Sequence, residues 1–396
     1  MTVLPVKDRF HLPKGVIYLD GNSLGPLPVT AADRARTVLE EEWGTRLIRA
    51  WNDRGWMDLP ARVGDRIAAL IGAPDGSVTT GDTLSIKVHQ ALDAALSLRP
   101  DRRVILSDAG NFPTDLYIAD GLARRLAAGH EVRTPDPDAV IEAIDDEVAV
   151  LLLTQVDYRT GRLHDMAALT RTAHEAGALV IWDLAHSAGA LPVDLAGCDA
   201  DFAVGCTYKY LNGGPGAPAF IYVRPDLAGQ IDPGLAGWMG HARPFAMERG
   251  FAPAAGTERM RIGTPPVVPL SILDAALDAW DGIVMRDVRA ASMRLSECFV
   301  RELARLAPAL KLVSPADPER RGSQVSFAFE DGYALMQALI EDGVIGDFRP
   351  PDLVRFGITP LYLDEDDIHQ AALRIARVLD TDVWREPRFA RRARVT

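Results

Sequence analysis

The chain is predicted to be an α/β protein, with one large, doubly wound, mostly parallel sheet and a second, smaller α+β domain. Three observations carry this prediction. Strongly apolar runs, 148–153 and 178–182 above all, alternate with amphipathic helical patterns, as expected when helices cover both faces of a parallel sheet. At 396 residues the chain can hold one large and one small domain around a sizeable core. Beyond residue 270 two helical patterns adjoin as a connector would, and short strand and helix patterns then alternate to the end. The expected division is 1–45 for an N-terminal arm and helix associated with the small domain, 46–270 for the large domain, and 271–396 for the connector helix and small domain.

In chain order, residues 1–30 are rich in Pro and Gly, and YLDGNSLGPLP reads as a short strand entering an irregular loop. Ser23 there can belong to a site or to an arm lying on the surface, and the sequence favours the arm. From 31 to 51, Val38, Leu39, Trp43, Leu47 and Ile48 recur at helical spacing and predict one long amphipathic helix. Trp51, Asn52 and Trp56 follow in a polar and aromatic loop, either a wall for an aromatic ligand or a packed domain junction. A helix over 62–71 stops at Gly72. In SVTTGDTLSIKVHQALDAALSL a strand and a small-residue turn lead into a helix. Leu84 and Ser85 at its start offer free amides and a hydroxyl suited to a phosphate, unless Asp82 or Thr83 simply caps the helix. A strand over 103–107 precedes NFPTD, where Pro113 opens a helix. Asp115 in that first turn suits the helix dipole, and Phe112 can lie on an aromatic ring. Thr154 ends the 148–153 strand, and a helix over 166–176 leads to the strand that ends at Asp183. Strands over 324–329 and 353–358 and helices over 333–340 and 367–379 compose the small domain. Arg355 lies mid-strand there, either as an edge charge or as an inward fork for an anion.

The chemistry centres on DFAVGCTYKYLNGGPGAPAFIYV. Lys209 sits between Tyr208 and Tyr210 ahead of a Gly-rich turn, as a chemically used lysine does, or as a hairpin-turn lysine covered by its tyrosines. Upstream, WDLAHSAG puts Asp183 at a strand end and His186 three residues on. A carboxylate at a strand end for a pyridine nitrogen, and then a further strand carrying a lysine able to form a Schiff base, are what pyridoxal 5'-phosphate needs. A net charge of −12 argues against nucleic acid or an anionic membrane as partner. Three cysteines without metal-type spacing suggest reduced thiols, and no signal peptide or bilayer-length apolar run is read, so a cytoplasmic location and no metal are expected.

With DLAHSAG, TYKYLNGGPG, GNSLG, NFPTD, GWMGH and the GTPP turn in place, the chain resembles the kynureninases over nearly its whole length. These are fold-type-I pyridoxal-phosphate enzymes of the class V aminotransferase group. The resemblance implies hydrolysis of L-kynurenine to anthranilate and L-alanine in tryptophan degradation. It implies Lys209 as the covalent anchor and proton carrier, Asp183 on the ring nitrogen, and Phe112, Asp115, Thr154 and His186 around the ring. Leu84, Ser85 and Tyr208 would hold the phosphate, with Tyr208 also the general acid. Trp238 and Thr264 look like groups given across a homodimer interface to the partner's phosphate site, and Arg355 would bind the substrate carboxylate, with Ser23, Trp51 and Asn52 nearby. Relatives of the animal enzymes carry a histidine where this chain has Trp51-Asn52 and an asparagine at Thr264. The departure resembles bacterial members, which prefer kynurenine to 3-hydroxykynurenine. A cysteine desulfurase or selenocysteine lyase shares the Asp-Lys pair but needs a cysteine on a mobile loop, which Cys198, Cys206 and Cys298 do not suit. A non-catalytic pyridoxal-binding protein would need a broken site or an added domain, and neither is read.

Overall fold

The computed structural model describes residues 4–393. β1 (Ile17–Tyr18) stands apart from the main sheet, which holds β2 (Val78–Thr80), β3 (Val104–Leu106), β4 (Glu131–Arg133), β5 (Val148–Thr154), β6 (Leu179–Asp183), β7 (Phe202–Gly205) and β8 (Phe220–Val223). Their order across the sheet is β2-β8-β7-β6-β5-β3-β4. The strands from β7 to β4 are mutually parallel, while β8 runs antiparallel to β7 and β2. Successive residues of a strand point to opposite faces, so the apolar runs feed two cores. Leu151, Leu153, Val180 and Trp182 join one core. Leu152, Leu179 and Ile181 join the other, under the helices Leu84–Ser97 and Pro113–Leu126. The continuous apolar run is therefore the mark of a sheet with no wet face.

The small sheet is antiparallel throughout. It comprises β9 (Lys311–Leu312), β10 (Gln324–Ala328), then, past the separate β11 (Val344–Ile345), β12 (Asp347–Arg349) and β13 (Leu353–Gly357), in the order β12-β13-β10-β9. β11 pairs in parallel with β1, so the first strand of the chain is tied to its last third. The first core continues through Phe299 of the helix Met285–Leu306 to Val325, Phe327 and Phe356, so large sheet and small sheet share one apolar interior.

Two expectations are corrected here. The helix expected from 31 to 51 is not one continuous α-helix. Val29–Thr37 is α-helical, Val38–Arg46 is π-helical and Leu47–Arg49 is a 3-10 turn. Val38 is buried, but Trp43 is 59% and Ile48 77% exposed, so most of the apolar stripe finds no partner within the chain. Lys209 does not ride on a strand either. It lies four residues past β7, in the connection to the antiparallel β8. Gly214 and Gly216 in that connection adopt φ of 87° and 75°, which residues with a Cβ rarely do.

Candidate active site

The parallel strands deliver their chemistry at their C-terminal ends. Thr154 and Asp183 are the last residues of β5 and β6 and pair in register. Asp183 is fully buried and its Oδ1 accepts from the Ala185 N–H at 2.7 Å. Asp115, in the first turn of Pro113–Leu126, is just as buried and lies beside both residues, its Oδ2 3.4 Å from the Thr154 hydroxyl. Burial, then the facing Asp183 charge, pushes the Asp115 carboxyl well up. Burial also raises Asp183, opposed by the positive charge of Lys209. Two carboxyls in one dry place are frustrated until a cation or a proton comes between them. Thr154 Oγ1 donates to Asn111 Oδ1 at 2.5 Å, and Asn111 Nδ2 donates to Ser107 Oγ at 2.9 Å, which fixes the loop ahead of Phe112.

Lys209 Nζ is 2.9 Å from His186 Nε2. Burial, reinforced by Lys209, holds the imidazole neutral, so Nε2 accepts and Nδ1 carries the ring hydrogen. The ring is buried, and the side chain of Gln324 is its other hydrogen-bonding neighbour. Beside Lys209, the Cys206 sulfur and then burial push the Tyr208 phenol up, which keeps it a proton donor. The GNSLG segment is not a surface arm. Gly25 N–H donates to Tyr208 O at 2.8 Å, and a Cβ on Gly25 would stand 2.3 Å from Lys209 O. Only glycine lets this segment buttress the lysine turn so closely.

The helix carrying Leu84 and Ser85 starts at Thr83 with no side chain capping its amides. Asp82 does not cap it either, being turned to Lys87 Nζ at 3.1 Å. The capping reading of this turn is therefore not observed, and the first amides of the helix have no side-chain acceptor among the described residues. Lys87 is itself buried and also meets Gln90 Oε1 at 2.9 Å and Met260 O at 3.3 Å, which ties the helix start to the loop before Thr264.

Arg355 sits on β13 between β12 and β10 and is buried, so the edge-charge reading is excluded. Its anion is within the chain: Nε donates to Asp347 Oδ1 at 2.7 Å, and Nη2 pairs with Asp347 Oδ2 and lies 3.3 Å from Ser23 Oγ. Burial raises Asp347, but the hydrogen bonds and charge of Arg355 outweigh this and hold it low. Asp20 has no such partner. Burial, then the Asp347 charge, moves it up to about 7. A carboxyl that holds its proton more tightly when folded contributes stability below its unfolded value of 3.8, and that contribution is lost as pH rises towards 7. Asp20→Asn removes the loss. Unfolding at several pH values is expected to show the variant gaining on the wild type across that window by at most about 1.4 kcal/mol per pH unit; a constant difference would refute the assignment.

The remaining expected site residues are not part of these hydrogen-bonded clusters. Trp51 packs edge-on to Trp56 at 5.4 Å, in a small cluster of Val38, Ala50 and Trp56 against which Val267 and Val268 also pack. Asn52 and Thr264 are exposed, and Trp238, also exposed, meets Phe245 edge-on at 5.6 Å. Phe112 is edge-on to Tyr158 at 5.1 Å. Sequence reasoning passed over Asn111, Tyr158, Gln324, Asp347 and Arg349. For Asp347 and Arg349 the signal was their two-residue spacing, which puts both on one face of a strand.

Curated relatives named kynureninase match from end to end. The Pseudomonas fluorescens protein is 48% identical over 100% of this chain and 97% of its own, and the Burkholderia pseudomallei (strain 1106a) protein 51% identical over 99% and 96%. The chain belongs to the kynureninase family. Residues 288–375 match the kynureninase C-terminal domain, so both the lysine-bearing sheet and the arginine-bearing sheet lie within the family match. In fold, this kynureninase-family chain is similar to the cystine C-S lyase C-DES in a mutant with glycine covalently linked to its pyridoxal-phosphate cofactor. The TM-score is 0.82 at 21% identity, covering 94% of this chain and 99% of that one. It is also similar to a cysteine desulfurase from Thermococcus onnurineus NA1, with TM-score 0.81 at 17% identity, covering 96% and 99%. At those identities the likeness establishes the α/β, fold-type-I architecture.

Proposed function

We propose that the chain hydrolyses L-kynurenine at the Cβ–Cγ bond to anthranilate and L-alanine, with pyridoxal 5'-phosphate as cofactor and 3-hydroxykynurenine as the second candidate substrate. The observation that carries this reading is that Lys209 Nζ, the Asp183–Asp115 carboxyl pair and an uncapped helix N-terminus are presented by one edge of the parallel sheet. The residues fit the cofactor. A ring N–H would relieve the buried carboxyl pair, the free amides of Leu84 and Ser85 with the Ser85 hydroxyl and Tyr208 would take the phosphate, and His186 and Phe112 would bound the ring, with Thr154 at its rim.

When bound, the cofactor supplies an electron sink for the negative charge that develops on the amino acid carbons. Lys209 would anchor it at rest and, with the substrate amine bound, would take the proton from Cα and return it there once Cβ has been protonated. Asp183 would be ionised against the ring N–H and would keep the sink electron-poor. His186, neutral and buried, keeps Lys209 oriented and water out. Water adds to the γ-carbonyl, the Cβ–Cγ bond breaks to release anthranilate, and Tyr208 delivers the proton that Cβ needs to become the methyl of alanine. Arg355 and Ser23 mark the end that takes the carboxylate.

Mixing purified protein with pyridoxal phosphate and L-kynurenine, with L-cysteine and 3-hydroxykynurenine in parallel, tests this directly. Anthranilate with equimolar alanine is expected; sulfide from cysteine alone would replace the mechanism. Against the desulfurase reading, Cys206 is buried and its thiol pushed up by burial, and Cys298 lies within the helix Met285–Leu306.

The apolar stripe of Leu39, Trp43, Leu47 and Ile48 and the exposed Trp238 and Thr264 support a homodimer with the active site at the interface. Sedimentation is expected to give twice 43.0 kDa, and the Trp43→Glu variant to shift to the monomer; a monomeric wild type would end this reading. The division into 1–45, 46–270 and 271–396 and a cytoplasmic location complete it, to be checked by limited proteolysis and cell fractionation. Among the described residues no helix is long and apolar enough to cross a membrane.

A further inference from the structure

Between β5 and the helix Met166–Glu175 the chain makes a tight hairpin, closed by Asp157 N–H to Arg162 O at 2.8 Å and by Gly161 N–H to Asp157 O at 2.9 Å. Gly161, at φ 74°, brings the hairpin against the start of β10, where a Cβ would stand 2.9 Å from Gln324 O. Gly322 N–H donates to Gly161 O at 2.8 Å and locks the two together. The hairpin thereby presents one backbone carbonyl, Tyr158 O, to two donors that fill it: Arg355 Nη1 and, at 2.9 Å, Gln324 Nε2.

A carbonyl oxygen can only accept, so it fixes which end of the Gln324 amide faces it. The NH2 end goes to Tyr158 O, and Oε1 is left for a donor. Gln324 is 0% exposed, and its hydrogen-bonding neighbour on that side is His186. Neither Gln324 Oε1 nor His186 Nδ1 has another partner among the described residues. An amide oxygen cannot donate, so Nδ1 must carry the ring hydrogen. Nε2 is then a lone pair, and Lys209 Nζ, 2.9 Å away, must be the donor. The charges felt at the ring are those of Lys209, Arg355 and Arg349, all positive, the two arginines sharing Asp347. The ring therefore stays neutral, and its tautomer is the one choice left to it.

We infer that Gln324 is a positioning residue for the reaction, passing the accepting sense of the Tyr158 carbonyl through His186 to Lys209. The inference deepens the proposed mechanism and rests on its use of Lys209 as the base. A neutral amine has two hydrogens and one lone pair. With one hydrogen given to His186 Nε2, the lone pair is left for the Cα proton. In the opposite tautomer the Nε2–H would donate to that lone pair and block it.

The ¹⁵N spectrum of the histidine-labelled holoenzyme reads the tautomer directly, with His186 identified among the eight histidines by its loss in His186→Gln. Nδ1–H is expected in the wild type and a mixture in Gln324→Leu; Nε2–H in the wild type would overturn the inference. Gln324→Leu is expected to lower kcat on L-kynurenine about 10-fold, the worth of one buried hydrogen bond, with KM, cofactor content and melting temperature close to the wild type. The isotope effect on kcat with Cα-deuterated L-kynurenine is expected to rise, which a merely structural role would not produce. Gln324→Glu places a carboxylate beside the ring and favours the imidazolium, so its kcat is expected to fall with falling pH through an ionisation the wild type lacks. Unchanged kcat and isotope effect in Gln324→Leu, or a pH profile of Gln324→Glu parallel to that of the wild type, would overturn the inference while wild-type turnover leaves the reaction standing. A wild type that forms no anthranilate would remove the reaction, and with it the role drawn for Lys209.

Discussion

Lys209→Ala is expected to lower kcat on L-kynurenine by about 10⁴-fold or more, because in the proposed mechanism one side chain both anchors the cofactor and moves the Cα proton. The substitution tests chemistry with little interference from folding. Lys209 Nζ is hydrogen-bonded to His186, and the turn around the lysine is held by backbone bonds, Gly25 N–H to Tyr208 O at 2.8 Å and Asn212 N–H to Lys209 O at 2.9 Å. Truncation leaves His186 Nε2 without its partner, a cost of about 1 kcal/mol. The uncapped helix start at Leu84 and the carboxyl pair remain, so under the proposed mechanism the variant is expected to bind pyridoxal phosphate without the absorption of the lysine imine. Visible spectra and a fluorescence assay for anthranilate check both halves. A Lys209→Ala protein that still turns over would end the proposed mechanism.

Asp183→Asn is expected to act in opposite directions on activity and on the cofactor-free fold. In the proposed mechanism the ring nitrogen would lose its counter-ion with that charge, and a fall of about 10²–10⁴-fold in kcat is expected with weaker cofactor binding. In the cofactor-free protein the same change relieves two buried carboxyls whose protons are held more tightly than in the unfolded chain. Groups raised in this way contribute stability below their unfolded value, and that contribution is lost as pH rises above it. The variant is therefore expected to be the more stable apoprotein at neutral pH, by about 1–3 kcal/mol, and the difference is expected to shrink as pH falls below 4. Denaturant unfolding at pH 4 and pH 8 measures it. Intact kcat in Asp183→Asn would remove Asp183 from the site; equal stability at both pH values would show that the carboxyls are not in conflict.

Much of this site could be read along the chain because its parts are local. Asp183 and Thr154 are strand-end residues after unbroken apolar runs, and Leu84 and Ser85 open a helix after a small-residue turn. Pattern and chemistry coincide at each of these places. The arginine corner could not be read this way. β12 is three residues long, so the two-residue spacing of Asp347 and Arg349 is the whole of its period, and Arg355 acquires Asp347 through antiparallel register, in which a slip of one residue would turn it to the other face. Ser23 joins them because the GNSLG segment packs on the Lys209 turn, a contact between residues nearly two hundred positions apart. The stripe of Leu39, Trp43, Leu47 and Ile48 misled for a related reason, since apolar periodicity says that a face will be covered and not by what.

The sequence alone thus determined which local pieces were available, a carboxylate at the end of a buried parallel strand, a lysine ahead of a Gly-rich turn and a helix opening after a small-residue turn, because side-chain type and strand position are local properties. Only the tertiary structure decided who holds whom. Asp115 against Asp183, His186 against Lys209 and Asp347 between two arginines are each made by register and packing between distant segments, where a shift of one residue or a few ångströms exchanges one partner for another.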